Sequence, residues 1–144
     1  MRQWLYPGPA DVRTSLGLLV LRAVVGTAFI FHGLPKVQHA FGWMGPEGPP
    51  GVLQAAAAVS EFGGGIALIL GLLTRLGAVG IAAVMVGALA LVHLPHHDPF
   101  VGKPGQSSAE PATVYLACAV LFLLAGPGRF SLDDRLFCRR GTGV

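Results

Sequence analysis

The sequence has little charge. Charged residues are 12% of its 144 positions against 53% hydrophobic ones, too few to clothe an ordinary water-facing surface, so the solvent for most of the chain is lipid. Cysteine is nearly absent: Cys118 and Cys138 have neither CxxC nor CxxxC spacing and fall in different compartments on the topology below, so no disulfide or cysteine metal site is expected. There is also no phosphate-cradling glycine loop, no CxxCH haem attachment, no iron–sulfur cysteine set, and no strand–turn–helix unit to hold a nucleotide or flavin. On these grounds the chain neither stores electrons alone nor hydrolyses a nucleotide. The formal charge of +3 and pI near 9.3 would suggest nucleic acid in a soluble protein. Here the basic residues flank apolar segments and form no patch, which excludes that partner.

What is present is apolar sequence in spanning lengths, with a mean hydropathy of +0.64. A helix needs ~20 residues to cross ~30 Å of hydrocarbon, and four stretches qualify: Leu16 to Leu34, Val52 to Leu73, Leu76 to Leu94, and Ala112 to Ala125. The last is short, so its span is drawn from about 109 to 126, with the aliphatic stem of Arg129 covering one end and Pro111 in the first turn. Pro35 is read as closing the first span, Thr74-Arg75 as a minimal turn, Pro95 as ending the third span, and Gly126-Pro127-Gly128 as ending the fourth. The expectation is an all-α, four-helix transmembrane bundle forming one domain over 1–144. No signal-peptide cleavage pattern precedes Leu16, so the first span should remain in the mature protein. The 21 glycines suit close helix packing in lipid.

Positive residues set the orientation. Arg2, Arg13, Arg22, Arg75, Arg129, Arg135, Arg139 and Arg140 fall on one side and only Lys36 and Lys103 on the other. Both termini are therefore expected in the cytoplasm, in a multi-pass inner-membrane protein. Arg22 is expected to snorkel to the cytoplasmic headgroups as an anchor. Ser131-Leu132-Asp133-Asp134 reads as a capping box opening a short amphipathic tail over 131–140, with Leu132, Leu136 and Phe137 on the inner leaflet.

On this topology all five histidines lie at the outer side. Glu61 is nine residues into the second span, about 13 Å below its outer edge. A carboxylate at that depth is costly and marks a site by default. With Lys36 assigned to the outer surface and Arg22 to the inner, no cation is in reach, so Glu61 is expected to be protonated. Each span brings one ionisable group to the outer half, His32, Glu61, His93 and Glu110, and these are expected to line a common cavity, with Tyr115 at its border. Tyr115, Cys118 and Phe122 also form one stripe of the fourth helix, where packing is the simpler reading. The small residues around Glu61, namely Ser60, Gly63, Gly64 and Gly65, fit close helices or a flat ligand equally well. His93, His96 and His97 with Asp98 could hold a metal, but Pro95 interrupts their helical spacing and no metal site is expected.

Phe31-His32-Gly33 with Lys36, Glu61 with Gly64 and Gly65, Gly71 with Thr74-Arg75, and Gly126-x-Gly128-Arg129-x-Ser131-Leu132-Asp133 resemble the DoxX family in order and spacing, from about Leu16 to Asp133. The resemblance implies a small four-helix membrane protein in a quinone-linked redox setting. Relatives serve as small subunits of thiosulfate:quinone or quinol oxidoreductases, or join membrane complexes of oxidative-stress defence. Carried onto this chain, the family's patterns point to His32 and Glu61, and its acidic residue at the head of span four to Glu110; on the quinone reading His32 and Glu61 are expected to be catalytic, with His93, Glu110 and Tyr115 also around the quinone. Electrons would then come from a redox partner subunit or a soluble enzyme. The rival expectation is a proton-coupled transporter or channel, or a scaffold that recruits a soluble enzyme. The oligomeric state stays open.

Overall fold

The computed structural model describes residues 10–138, and the side chains as far as Phe137; Arg2, Arg139 and Arg140 of the charge count and the end of the expected tail lie outside the described residues. The described chain is all-helical, as expected. It contains α1 (Val12–Gln38), α2 (Gly51–Leu70), α3 (Thr74–Ala88), which continues as a π turn (Leu89–His93), and α4 (Glu110–Ala125). α1, α2 and the continuous Thr74–His93 helix are each long and apolar enough to cross a membrane, and α4 is a shorter apolar helix of 16 residues, about 24 Å in length.

Local chemistry sets the ends of these helices. Asp11 caps α1, its carboxylate accepting from the N–H groups of Arg13 (2.8 Å) and Thr14 (3.1 Å), which satisfies two of the helix's free donors. Pro35 does not close α1 as expected. The helix runs through it for three more residues, since a proline removes one N–H···O bond and bends a helix without having to end it. α2 stops at Gly71, whose φ of 64° is left-handed. After Pro95, turns carry the chain to α4, which has Pro111 in its first turn. The Ser131 cap is present: Ser131 Oγ accepts from the Asp134 N–H at 3.1 Å.

The helices pack in chain order, α1 along α2, α2 against α3 and α3 against α4, whereas α1 and α4 meet only briefly. The core is built from Leu18, Val25, Phe29, Leu68, Ile81 and Phe122. Outward faces carry exposed Val20, Val24, Val52, Leu76 and Leu94, an apolar coat that only lipid can solvate. The glycines beside Glu61 divide by role. A Cβ on Gly65 would lie 2.7 Å from Gly26 O of α1, and one on Gly64 would lie 3.0 Å from Ile81 of α3, while Gly63 faces open space. Gly64 and Gly65 are thus packing positions.

Arg22 does not snorkel. It is 1% exposed and is the centre of a knot at one end of the bundle. Nε donates to Leu68 O (2.7 Å), Nη1 to Pro127 O (2.7 Å) and Phe130 O (3.1 Å), and Nη2 to Ile69 O (3.2 Å). The guanidinium serves the free carbonyls at the end of α2 and in the segment after α4, a use of its planar fork that outweighs exposure at the headgroups. Asp133 locks the same corner: its carboxylate accepts from the N–H groups of Leu73 (2.7 Å) and Thr74 (2.9 Å), and its own N–H donates to Gly71 O (2.8 Å). Gly71 has to be glycine here, since a Cβ would stand 2.6 Å from Arg22 Nη2.

Candidate functional site

Because α1 continues past Pro35, Lys36 stays on the helix instead of joining the outer surface. Its Nζ lies 2.6 Å from Glu61 Oε1. This corrects the expectation that Glu61 has no cation within reach: a carboxyl with an ammonium partner needs no proton to be tolerated at depth. Glu61 is 2% exposed, and its second oxygen, Oε2, is buried with no donor among the described residues. The Lys36 ammonium also sits 4.5 Å from the centroid of the Trp43 ring, within cation–π range.

Trp43 is fixed by a buried residue that the sequence did not single out. Gln54, 4% exposed, accepts the Trp43 Nε1–H on its backbone carbonyl (3.0 Å) and the Met44 N–H on Oε1 (2.8 Å), and donates from Nε2 to Pro49 O (2.8 Å). One glutamine therefore holds most of the loop between α1 and α2 against the first turns of α2. Between that loop, α2 and α3 lies a cavity of about 440 Å³, walled by Lys36, Trp43, Glu61 and His93 among largely apolar neighbours. A small-molecule site occupies ~300–1,000 Å³ and combines apolar walls with a few polar groups.

His93 reaches this cavity from the π turn, a distortion that often marks a functional position. Its Nδ1 is 2.8 Å from Asp98 Oδ2, which also accepts the Ser107 hydroxyl at 2.7 Å. The Ser107 hydrogen bond first, and the His93 bond after it, hold the Asp98 carboxyl below the usual aspartate range. Asp98 is therefore ionised at neutral pH and can only accept. His93 also borders a second, open cavity of about 630 Å³ with Leu94, His97 and Asp98, so it stands in the wall between the two.

The expected outer constellation is thus divided. Glu61 and His93 share the cavity, but His32 does not line it. His32 is exposed, and its ring stands in an edge-on trio with Phe29 (6.4 Å) and Tyr115 (6.2 Å) where α1 meets α4. Glu110 is exposed at the start of α4. His96 Nδ1 lies 2.6 Å from Val92 O, and among the described residues no three histidine, cysteine or acidic side chains are gathered as a metal set. Sequence reasoning missed Trp43, Gln54 and Ser107, placed Lys36 at the outer surface, and read Asp98 only as a possible metal ligand. The assumed break at Pro35 concealed that Lys36 stays on α1, within reach of Glu61.

A family model described as DoxX matches residues 17–94. The chain is 31% identical to the "Putative oxidoreductase CatD" of Bacillus subtilis, over 90% of this chain and 93% of that one. It is 33% identical to an uncharacterised membrane protein of Mycobacterium tuberculosis, over 83% and 80%, and 29% identical to the inner membrane protein YqjF of Escherichia coli, over 85% and 93%. No solved structure matches. With the family model covering more than half of the chain and these relatives most of its length, this membrane protein belongs to the DoxX family.

Proposed function

We propose that the chain is the quinone-interacting subunit of a redox complex in the inner membrane, and that the quinone head occupies the Glu61–Lys36 cavity. The observation that carries this reading is the cavity of about 440 Å³ itself, largely apolar and with the Lys36–Glu61 ion pair and His93 among its lining residues. The residues present suit such a ring: Ala56, Ala57, Ala83 and Gly87 leave room for a flat body, and Trp43 offers an aromatic wall. A quinone supplies two-electron, two-proton chemistry when bound. The chain's own residues position and handle protons: Lys36 fixes the Glu61 carboxyl, Asp98 fixes the His93 ring, and His93, bordering both cavities, can exchange a proton with the open one. The name of the Bacillus subtilis relative supports the redox setting, and on this reading the electrons come from a partner subunit or soluble enzyme.

Mass spectrometry of lipids and proteins retained after gentle detergent extraction tests this reading. A quinone and a redox protein held in fixed proportion are expected. Their absence, together with solute flux when the purified chain is placed in liposomes, would replace the reading with a transporter.

The orientation belongs to the same proposal: termini in the cytoplasm, and the loops after α1 and after the π turn outside, as the arginine bias implies. Single cysteines at the exposed positions Gly42 and Lys103, in a background without the native two, are expected to label in intact cells with a membrane-impermeant thiol reagent. Protection of both would reverse the topology.

A further inference from the structure

Most polar groups in the wall of the Glu61–Lys36 cavity are spent on one another. Trp43 Nε1–H donates to Gln54 O, Gln54 Nε2 donates to Pro49 O, and Gln54 Oε1 accepts the Met44 N–H. Glu61 accepts from Lys36 on Oε1, and its Oε2 is buried. Lys36 is different. An ammonium carries three N–H groups, and Glu61 Oε1 takes one of them. The Lys36 side chain lines the cavity and is 24% exposed, against 2% for Glu61. It is also held in place: the carboxylate is 2.6 Å from Nζ, and the centroid of the Trp43 ring is 4.5 Å away. A donor already held by two neighbours needs little further ordering when a ligand binds.

Resting on the quinone reading above, we infer that Lys36 is the specificity-determining residue of this cavity, its spare N–H groups anchoring the ligand by a neutral carbonyl oxygen. The charge balance of the wall selects neutrality. Lys36 and Glu61 cancel, and the remaining titratable side chain in the wall, His93, faces the carboxylate of Asp98. No net positive charge is left to hold a carboxylate or a phosphate, and an anion set against Lys36 would also meet the charge of Glu61. A carbonyl oxygen accepts the same hydrogen bond without that repulsion. A hydrocarbon ring of equal size fills the apolar walls but leaves the ammonium unbonded. Hydrogen bonds from an ionised donor are stronger than neutral ones, so the carbonyl is expected to be worth roughly tenfold to a hundredfold in affinity over the hydrocarbon. The bond also fixes the ring's orientation, with a carbonyl edge at the Lys36–Glu61 end of the cavity beside Trp43.

The test is calorimetric titration of the purified full chain in detergent with three probes: a dimethylnaphthoquinone, whose methyl groups block addition by thiols, the matching dimethylnaphthalene, and naphthoate. The quinone is expected to bind at least tenfold tighter than either of the others. Lys36→Met combined with Glu61→Gln removes the donor without stranding a carboxylate. This double variant is expected to lose at least tenfold in quinone affinity while melting at the temperature of Glu61→Gln alone. Difference infrared spectra at saturating quinone, with its carbonyls isotope-labelled, read the bond itself. The carbonyl band is expected below its position in detergent alone, and back at that position in the double variant. If the double variant binds the quinone as tightly as the wild type, or if the band does not move, Lys36 does not hold the carbonyl. If dimethylnaphthalene or naphthoate binds as tightly as the quinone, the cavity does not read a neutral carbonyl. Each of these results overturns the inference while the quinone reading stands. If the quinone does not bind the folded chain, the quinone reading falls and takes the inference with it.

Discussion

Arg22→Met is expected to destabilise the bundle by roughly 3–5 kcal/mol, as removing one member of a buried charged network does. The guanidinium donates to the carbonyls of Leu68, Ile69, Pro127 and Phe130. A buried carbonyl stripped of its donor costs about 1–3 kcal/mol, and partial rehydration of the exposed end keeps the total below the sum. Methionine retains most of the stem's volume, so the loss is electrostatic and not a cavity. Arg22→Lys keeps the charge but loses the fork, and is expected to recover only part of the stability, because one ammonium cannot span four carbonyls from two segments. Helix content followed through denaturant titration in detergent reads the difference. A midpoint unchanged in Arg22→Met would mean that water replaces the guanidinium at no cost and that the knot holds nothing together.

The helices were legible because each is a long apolar run between glycine and proline breakers, a signal contained within the segment itself. The sequence also carried the Ser131 cap and the burial of Glu61, since a carboxylate within an apolar run is conspicuous wherever the helix packs. What could not be read was non-local or depended on one backbone decision. The partners of Arg22 are carbonyls contributed by Leu68 and by residues more than a hundred positions away, and carbonyls leave no mark in a sequence. The error at Lys36 was local. Treating Pro35 as a stop moved Lys36 off the helix, removed the partner of Glu61, and led to an expected proton that the ion pair makes unnecessary. The separation of His32 from Glu61 has a related cause: depth in the membrane was readable from residue counts, whereas the rotation of each helix was not. Residues at one level on different helices therefore looked like neighbours. The structure turns His32 towards Tyr115 and Lys36 towards Glu61.

The same rotation makes the Lys36–Glu61 pair unequal, which gives the second large effect. Glu61 is 2% exposed while the Lys36 side chain is 24% exposed, so removing either partner strands a group in a different setting. Lys36→Met leaves a buried carboxylate without its cation, and is expected to cost roughly 3 kcal/mol or to force the carboxyl to take up a proton. Glu61→Gln leaves the ammonium, which can turn towards water along its flexible stem, and its cost is expected to stay within about 1 kcal/mol. The double variant, Lys36→Met with Glu61→Gln, removes both charges and is expected to be close to Glu61→Gln alone, so that the second change rescues most of what the first loses. Such non-additivity is the signature of a pair that acts as a unit. Denaturant midpoints of the three variants in detergent measure stability, and quinone-linked turnover of the reconstituted complex measures function. Glu61→Gln is expected to fold yet lose turnover, because an amide cannot exchange the proton that a carboxyl can. If Lys36→Met proves no less stable than Glu61→Gln, Glu61 is not held by Lys36 in the membrane. If Glu61→Gln keeps full turnover, the carboxyl serves only to pin α1 against α2, and the cavity's chemistry must be sought at His93.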